Sequence, residues 1–154
     1  MHHRGGWARR LEKRILIVDD DDPIRLLLLT VLRKRGYRVD TARNGEEAIE
    51  RSRQCRYSVV LLDLMMPRMS GYEFLEQVEV WPEAIRPVVI VLTAGNEPRD
   101  LNPKVVAGTI RKPFDIELLV DTISACIRTL EPFAQNEQCP APESDLDQTS
   151  EKPN

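Results

Sequence analysis

The sequence predicts an α/β protein built as a doubly wound, five-stranded parallel sheet with helices on both faces. Three observations carry this. Short, wholly apolar runs recur at Ile15-Leu16-Ile17-Val18, Val59-Val60-Leu61-Leu62 and Val88-Val89-Ile90-Val91-Leu92, as strands covered on both faces require. Segments with helically spaced apolar residues separate them. Each run also ends on residues that can do chemistry: Asp19-Asp20-Asp21-Asp22, Asp63, and Thr93, with Lys112-Pro113 closing a weaker run that begins near Val105.

The elements follow in order. After the strand at 15–18, Asp21 or Asp22 can accept from the free amides of a helix start, with Pro23 tolerated in the first turn. Ile24, Leu27, Leu28, Val31 and Leu32 keep helical spacing until Gly36 stops the helix. Residues 37–41 alternate as a second strand. Asn44-Gly45-Glu46-Glu47 reads as a cap and first turn leading into a helix through Cys55. Beyond the Asp63 strand, Ser70 or Gly71 opens a third helix to about Val80, and Pro82 and Pro87 bracket the loop before the fourth strand. Asp115 caps a last helix whose apolar set is Leu118, Leu119, Ile123, Cys126, Ile127 and Leu130. One segment breaks the rhythm. Pro98 and Pro103 stand where the crossover helix between the fourth and fifth strands belongs, and an interior proline costs about 3 kcal/mol. That helix is expected to be short, distorted or absent.

The 154 residues fit one compact domain with loose ends. The longest apolar stretch, 26–32, is interrupted by Thr30 and flanked by Arg25 and Arg33. It is too short to span a bilayer, so no membrane partner is expected. No apolar signal core follows the basic N-terminal residues, and Cys55, Cys126 and Cys139 read as reduced thiols of a cytoplasmic protein. The net charge of −3 is unevenly spread. Residues 1–14 carry five basic residues against one acid, and residues 131–154 carry six acids against one lysine. We read 1–13 as a basic flexible leader, 14–130 as the folded domain and 131–154 as an acidic disordered tail. Such a balance creates no general field for nucleic acid, and no effector domain is expected after the last helix. His2 and His3 are too few for a metal site, Trp81 reads as partial core, and Met65 and Met66 read as packing and loop residues.

Right-handed crossovers and the flavodoxin-like strand order 2-1-3-4-5 make strands one and three neighbours at the switch point. Asp19 and Asp20 then lie beside Asp63 outside the carboxyl ends of the strands. Three such carboxylates repel one another, and no imidazole or thiolate is near. Hard oxygen donors of this kind suit Mg²⁺, with Mn²⁺ as the alternative. Asp21 and Asp22 read as helix caps with solvated neighbours. That reading does not extend to Asp63, Thr93 and Lys112 taken together.

On these residues the chain resembles the response-regulator receiver domain of bacterial two-component signalling. The matching motifs are Ile15-Leu16-Ile17-Val18-Asp19-Asp20, Leu61-Leu62-Asp63-Leu64-Met65-Met66-Pro67, Ser70-Gly71, Leu92-Thr93-Ala94 and Arg111-Lys112-Pro113-Phe114, across residues 14–130. The resemblance implies that Asp63 is the phosphoacceptor. It implies that Asp20 is the principal metal ligand, that Asp19 holds metal-bound water, and that the Met65 carbonyl completes the protein ligands. Thr93, the Ala94 amide and Lys112 would bind the phosphoryl oxygens, and a cis peptide at Pro113 would aim the lysine. A sensor histidine kinase or histidine phosphotransferase would be the donor, and output would run through a protein partner or a phosphorelay. The family's usual aromatic residue three positions before the lysine is Thr109 here. Signalling through another surface, such as the first or last helix, or through phosphotransfer alone, is therefore expected.

Two other classes fit these residues less well. A haloacid-dehalogenase-like phosphohydrolase needs a second aspartate two residues after the nucleophile, where this chain has Met65. A phosphorylation-independent scaffold would have lost the chemistry, yet Asp20, Asp63, Thr93 and Lys112 are all present. Nucleotide binding lacks a glycine-rich phosphate loop after Val18. The expected role is that of a phosphoacceptor signalling domain, catalysing only its own phosphorylation and dephosphorylation.

Overall fold

The structure, a computed structural model, describes residues 13–95 and 101–130. Five strands, β1 (Arg14–Val18), β2 (Arg38–Ala42), β3 (Val59–Asp63), β4 (Val88–Thr93) and β5 (Val106–Arg111), form one sheet in the order β2-β1-β3-β4-β5. Every neighbouring pair is parallel, so all five carboxyl ends meet on one edge, as expected. The helices are α1 (Asp22–Lys34), α2 (Gly45–Gln54), α3 (Gly71–Glu79) and α4 (Ile116–Arg128), with a 3₁₀ turn at Glu83–Ile85. No helix among the described residues is long and apolar enough to cross a membrane.

The pleat divides each apolar run between two cores. Leu16, Val18, Val60, Leu62, Val89 and Val91 pack under α2 and α3 with Ala48, Phe74 and Val78. Ile15, Ile17, Val59, Leu61, Ile90 and Leu92 pack under α1 and α4 with Leu28, Leu32, Leu119 and Ile123. Each fully buried aliphatic side chain contributes about 1.5–3 kcal/mol of transfer free energy. This double burial is why β1 and β3 show no polar side.

Local capping sets the helix starts. Asp21, rather than Asp22, is the cap of α1, accepting from the Ile24 amide. Asn44 caps α2 through the Glu47 amide, and Ser70 with Glu73 closes a reciprocal capping box on α3. Gly36 takes φ 98° just beyond α1, a conformation that an L side chain resists.

The crossover from β4 to β5 carries no helix at the described residues 94–95 and 101–105, in line with the expectation from Pro103; Pro98 lies outside the described residues. The expected tail over 131–154, and all of the expected leader except Lys13, also lie outside them. β5 is only partly covered. β5 alternates between half-buried and exposed positions, with Thr109 and Arg111 exposed. Its register with β4 shifts between Val89 and Ile90, pairing Val89 with Val106 but Ile90 with Gly108.

One buried acid is unmarked in the sequence, and one sequence expectation needs correction. Asp40 sits in an alternating strand yet is buried, because Tyr57 donates its hydroxyl to Asp40 Oδ2 at 2.6 Å and Arg14 lies 3.7 Å from the same oxygen. Burial, reinforced by Asp40, raises the Tyr57 hydroxyl well above the usual phenol range. Cys126 carries a free thiol, but Cys55 is disulfide-bonded, against the reading of three reduced thiols. The number and spacing of cysteines do not encode their redox state.

Gly71 makes the tightest approach under the site. Its N–H donates to the Leu64 carbonyl at 3.1 Å. An added Cβ would stand 2.6 Å from the Asp63 carbonyl oxygen and 2.7 Å from Leu64 Cα, both backbone atoms that cannot swing aside. Alanine is intrinsically better than glycine in a helix by roughly 1 kcal/mol. The clash reverses the sign: Gly71→Ala is expected to lose about 1–3 kcal/mol in urea unfolding. A variant as stable as the parent would contradict this packing.

Candidate functional site

Four strand ends supply the side chains. Asp19 follows β1, and its amide extends the ladder to the Ala42 carbonyl at 3.1 Å. It is fully buried, accepting from the Asp21 amide on Oδ1 at 2.9 Å and from the Lys112 ammonium on Oδ2 at 3.2 Å. Asp20, next in the chain, is exposed. Asp63 is the last residue of β3 and is buried. Its Oδ1 accepts from the Met65 amide at 3.2 Å, and its Oδ2 faces Lys112 Nζ at 3.6 Å. Carboxylate oxygens of Asp19, Asp20 and Asp63 all lie within 4.8 Å of one another.

The other wall comes from β4 and β5. Thr93 ends β4 buried, and the Gly95 amide donates to its hydroxyl at 3.4 Å. Lys112 follows β5, and its amide donates to the Thr93 carbonyl at 2.7 Å, so the two residues share one backbone hydrogen bond at the cleft. The Lys112–Pro113 peptide is cis. Ala94 lies exposed at the mouth.

The loop after Asp63 is pinned rather than open. Gly45 donates its amide to the Met69 carbonyl at 2.9 Å, an approach that a Cβ at residue 45 would block. Arg68, at φ 63°, pairs with Glu46 at 2.9 Å. Met65 itself is 69% exposed, while its amide donates to Asp63.

The sequence-predicted set Asp19, Asp20, Asp63, Thr93 and Lys112 is thus gathered at one edge, with Met65, Ala94 and Pro113 adjoining. Sequence reasoning missed Arg25. It is buried under the β1–α1 turn, donating to the Asp19 carbonyl at 2.9 Å and to Asp22 at 2.6 Å. The available signal was an arginine three residues after an acid on an otherwise apolar helix stretch.

Burial pushes the Asp63 carboxyl up to about 6; Asp19 adds to the rise, while Lys112 and the Met65 amide oppose it. Burial works against the Lys112 ammonium, but Asp19 and Asp63 outweigh it and hold its pKa above the ordinary value. A carboxyl whose pKa rises on folding binds its proton more tightly folded than unfolded. Its contribution is therefore present below about pH 4 and is lost as pH rises through about 6. In EDTA, Asp63→Asn is expected to gain about 1–3 kcal/mol more over wild type at pH 7.5 than at pH 4.5. Urea titrations at both pH values check this; a stability gap independent of pH would refute the assigned shift.

The chain resembles known proteins over most of its described residues. The family model described as response regulator receiver domain matches residues 15–124. The transcriptional regulatory protein ResD of Bacillus subtilis (strain 168) is 38% identical over 120 residues, covering 76% of this chain and 49% of ResD. Sporulation initiation phosphotransferase F of the same organism is 38% identical over 116 residues, covering 73% of this chain and 92% of that protein. The chain thus spans about half the length of ResD and most of phosphotransferase F. Among solved structures, the CheY-like receiver domain protein from Methanospirillum hungatei JF-1 superposes with a TM-score of 0.67 at 29% identity, covering 77% of this chain and 99% of that one. TrrA from Thermotoga maritima, solved in complex with Mg(2+)-BeF, gives 0.65 at 36% identity, covering 74% and 98%. The fold, the gathered strand-end residues and these matches together make the chain a member of the response-regulator receiver-domain family of two-component signalling.

Proposed function

We propose that this chain accepts a phosphoryl group from a phosphohistidine donor onto Asp63, with a divalent cation bound beside it. The single observation that carries the reading is the convergence of three carboxylates, one ammonium and one hydroxyl at the carboxyl edge of β1, β3, β4 and β5. In the transfer, the bond from phosphorus to one ring nitrogen of the donor breaks as a bond to an Asp63 carboxylate oxygen forms, and the imidazole, carrying a proton on its other ring nitrogen, leaves neutral with the bonding pair. The transition state is loose and spreads charge over the equatorial oxygens. Lys112 meets one of these oxygens with its ammonium, and Thr93 with the Ala94 amide meets another. Water attacking in line at phosphorus later returns Asp63 to its carboxylate.

The donor set fits a hard cation. Three carboxylates lie within reach of one ion, with no histidine or cysteine in the group. Asp20, exposed at the mouth, would be the principal ligand, with Asp19, Asp63 and the Met65 carbonyl around it. Mg²⁺ or Mn²⁺ held there would supply Lewis-acid charge for the phosphoryl oxygens.

A sensor histidine kinase or histidine phosphotransferase is the proposed donor, acting in the cytoplasm where ATP charges such donors. The likeness to a relative named as a phosphotransferase supports work in a relay or through protein partners. The aspartyl phosphohydrolase reading is set aside because Met65 stands where a general acid is needed.

Incubation of wild type with acetyl phosphate and Mg²⁺ is expected to add one phosphoryl mass by intact-protein mass spectrometry, and none with EDTA or in Asp63→Asn. Label appearing on Asp63→Asn, or metal-independent label, would overturn the assignment. With Thr109 in place of the family's aromatic and β5 half-exposed, output is proposed to bypass this edge. Amide exchange over residues 101–112 is then expected to change little on phosphorylation; a large change there would reject the bypass.

A further inference from the structure

We infer that Arg25 is a positioning residue, holding the β1–α1 turn in the one geometry that lets Asp19 and Asp20 receive a divalent cation. The inference rests on the proposed cation site and deepens it. Arg25 lies on the first turns of α1 with a side chain only 6% exposed. Its Nη1 donates to the Asp19 carbonyl at 2.9 Å and its Nη2 to Asp22 Oδ1 at 2.6 Å, while Nε is buried with no hydrogen-bond partner among the described residues.

That carbonyl belongs to the peptide joining Asp19 to Asp20. The Asp19 amide is tied to the Ala42 carbonyl and its Oδ1 to the Asp21 amide, so Arg25 holds the peptide plane between them and with it the direction in which Asp20 leaves the backbone. Asp22, 71% exposed, anchors the other prong of the fork from the helix start. A buried guanidinium is costly unless its geometry is needed. Here its rigid planar fork spans two acceptors that a point charge cannot span together.

The sign of the effect separates positioning from simple charge. A fixed positive charge this near the acids repels a cation, so removing charge alone would tighten Mg²⁺ binding. Loss of a support that orients ligands weakens binding, by roughly 10- to 100-fold for outer-shell partners.

The test is calorimetric titration of MgCl₂ into the full chain, beside thermal melts in EDTA. Wild type, Arg25→Met, Arg25→Lys and Asp22→Ala are compared at high ionic strength, where exposed charge is screened. We expect the Kd for Mg²⁺ to rise about tenfold in Arg25→Met and also in Arg25→Lys, which keeps the charge. A smaller rise, about threefold, is expected in Asp22→Ala, where one prong stays bonded. A purely structural arginine would lower the melting temperature and leave Kd alone. Tighter or unchanged Mg²⁺ binding in the folded arginine variants overturns the inference while the cation site stands. If both arginine variants fail to fold, an unchanged Kd in Asp22→Ala overturns it instead. A wild-type chain that takes up no Mg²⁺ overturns the proposed function, and this inference with it.

Discussion

Lys112 is the cation on which the electrostatics of the cleft turn. Two buried carboxylates, Asp19 and Asp63, face each other across the β1–β3 junction, and the ammonium stands 3.2 Å from one and 3.6 Å from the other. Without a compensating cation, burying such a pair would cost several kcal/mol. The lysine reaches them because β5 pairs with β4 and its end is tied to the Thr93 carbonyl. Strand order, rather than any local motif, brings a residue 93 positions away from Asp19 into contact with it. The raised Asp63 carboxyl shows that one ammonium does not fully offset burial and a second acid.

That incomplete balance explains why the cleft is suited to a further cation and then to a transferable anion. A divalent ion beside Asp20 would relieve repulsion that Lys112 leaves in place. An added phosphoryl group would restore negative charge that the lysine, the cation and the Thr93 hydroxyl could then share. Any resulting shift in conformation is limited by how differently the two arrangements bind that group. Scaffold features below the cleft oppose drift of the Asp63 carboxylate. Gly71 lets α3 press against the Asp63 carbonyl, and Gly45 with Arg68 and Glu46 locks the following loop onto α2.

Much of this was legible in the chain because the relevant signals are local. Four-residue apolar runs are too short for helices, and caps at Asp21, Asn44, Ser70 and Asp115 mark helix starts within one or two residues. Proline placement foretold the crossover without a helix at its described residues. The illegible features are the non-local ones. Asp40 looks like an ordinary outward position until Tyr57 and Arg14 arrive from other parts of the fold. Arg25 reads as a flank to an apolar stretch until the chain folds it under Asp19. The register shift in β5 leaves no periodic trace in a run as short as residues 106–111.

The two walls of the cleft differ in what restrains them. On one side Asp19 is held by its own amide, by its carbonyl through Arg25 and by both carboxylate oxygens, beside a fully buried strand. On the other, Thr93 and Lys112 share a backbone bond at the end of an edge strand whose alternate residues are exposed. Local opening is cheapest where apolar cover is thinnest, so β5 yields before β1 does. Any motion that a phosphoryl group drew from Thr93 or Lys112 would stay at their side chains, with their shared backbone bond in place. The exposed Thr109 offers no bulky side chain to carry that motion to a partner. On the firm wall α1 is fastened to the cleft through Arg25, so a partner docked there would sense the charge of the site through a nearly rigid body. Recognition on that side would depend on the electrostatic state of Asp63 more than on rearrangement, a demand that a phosphotransfer partner meets directly.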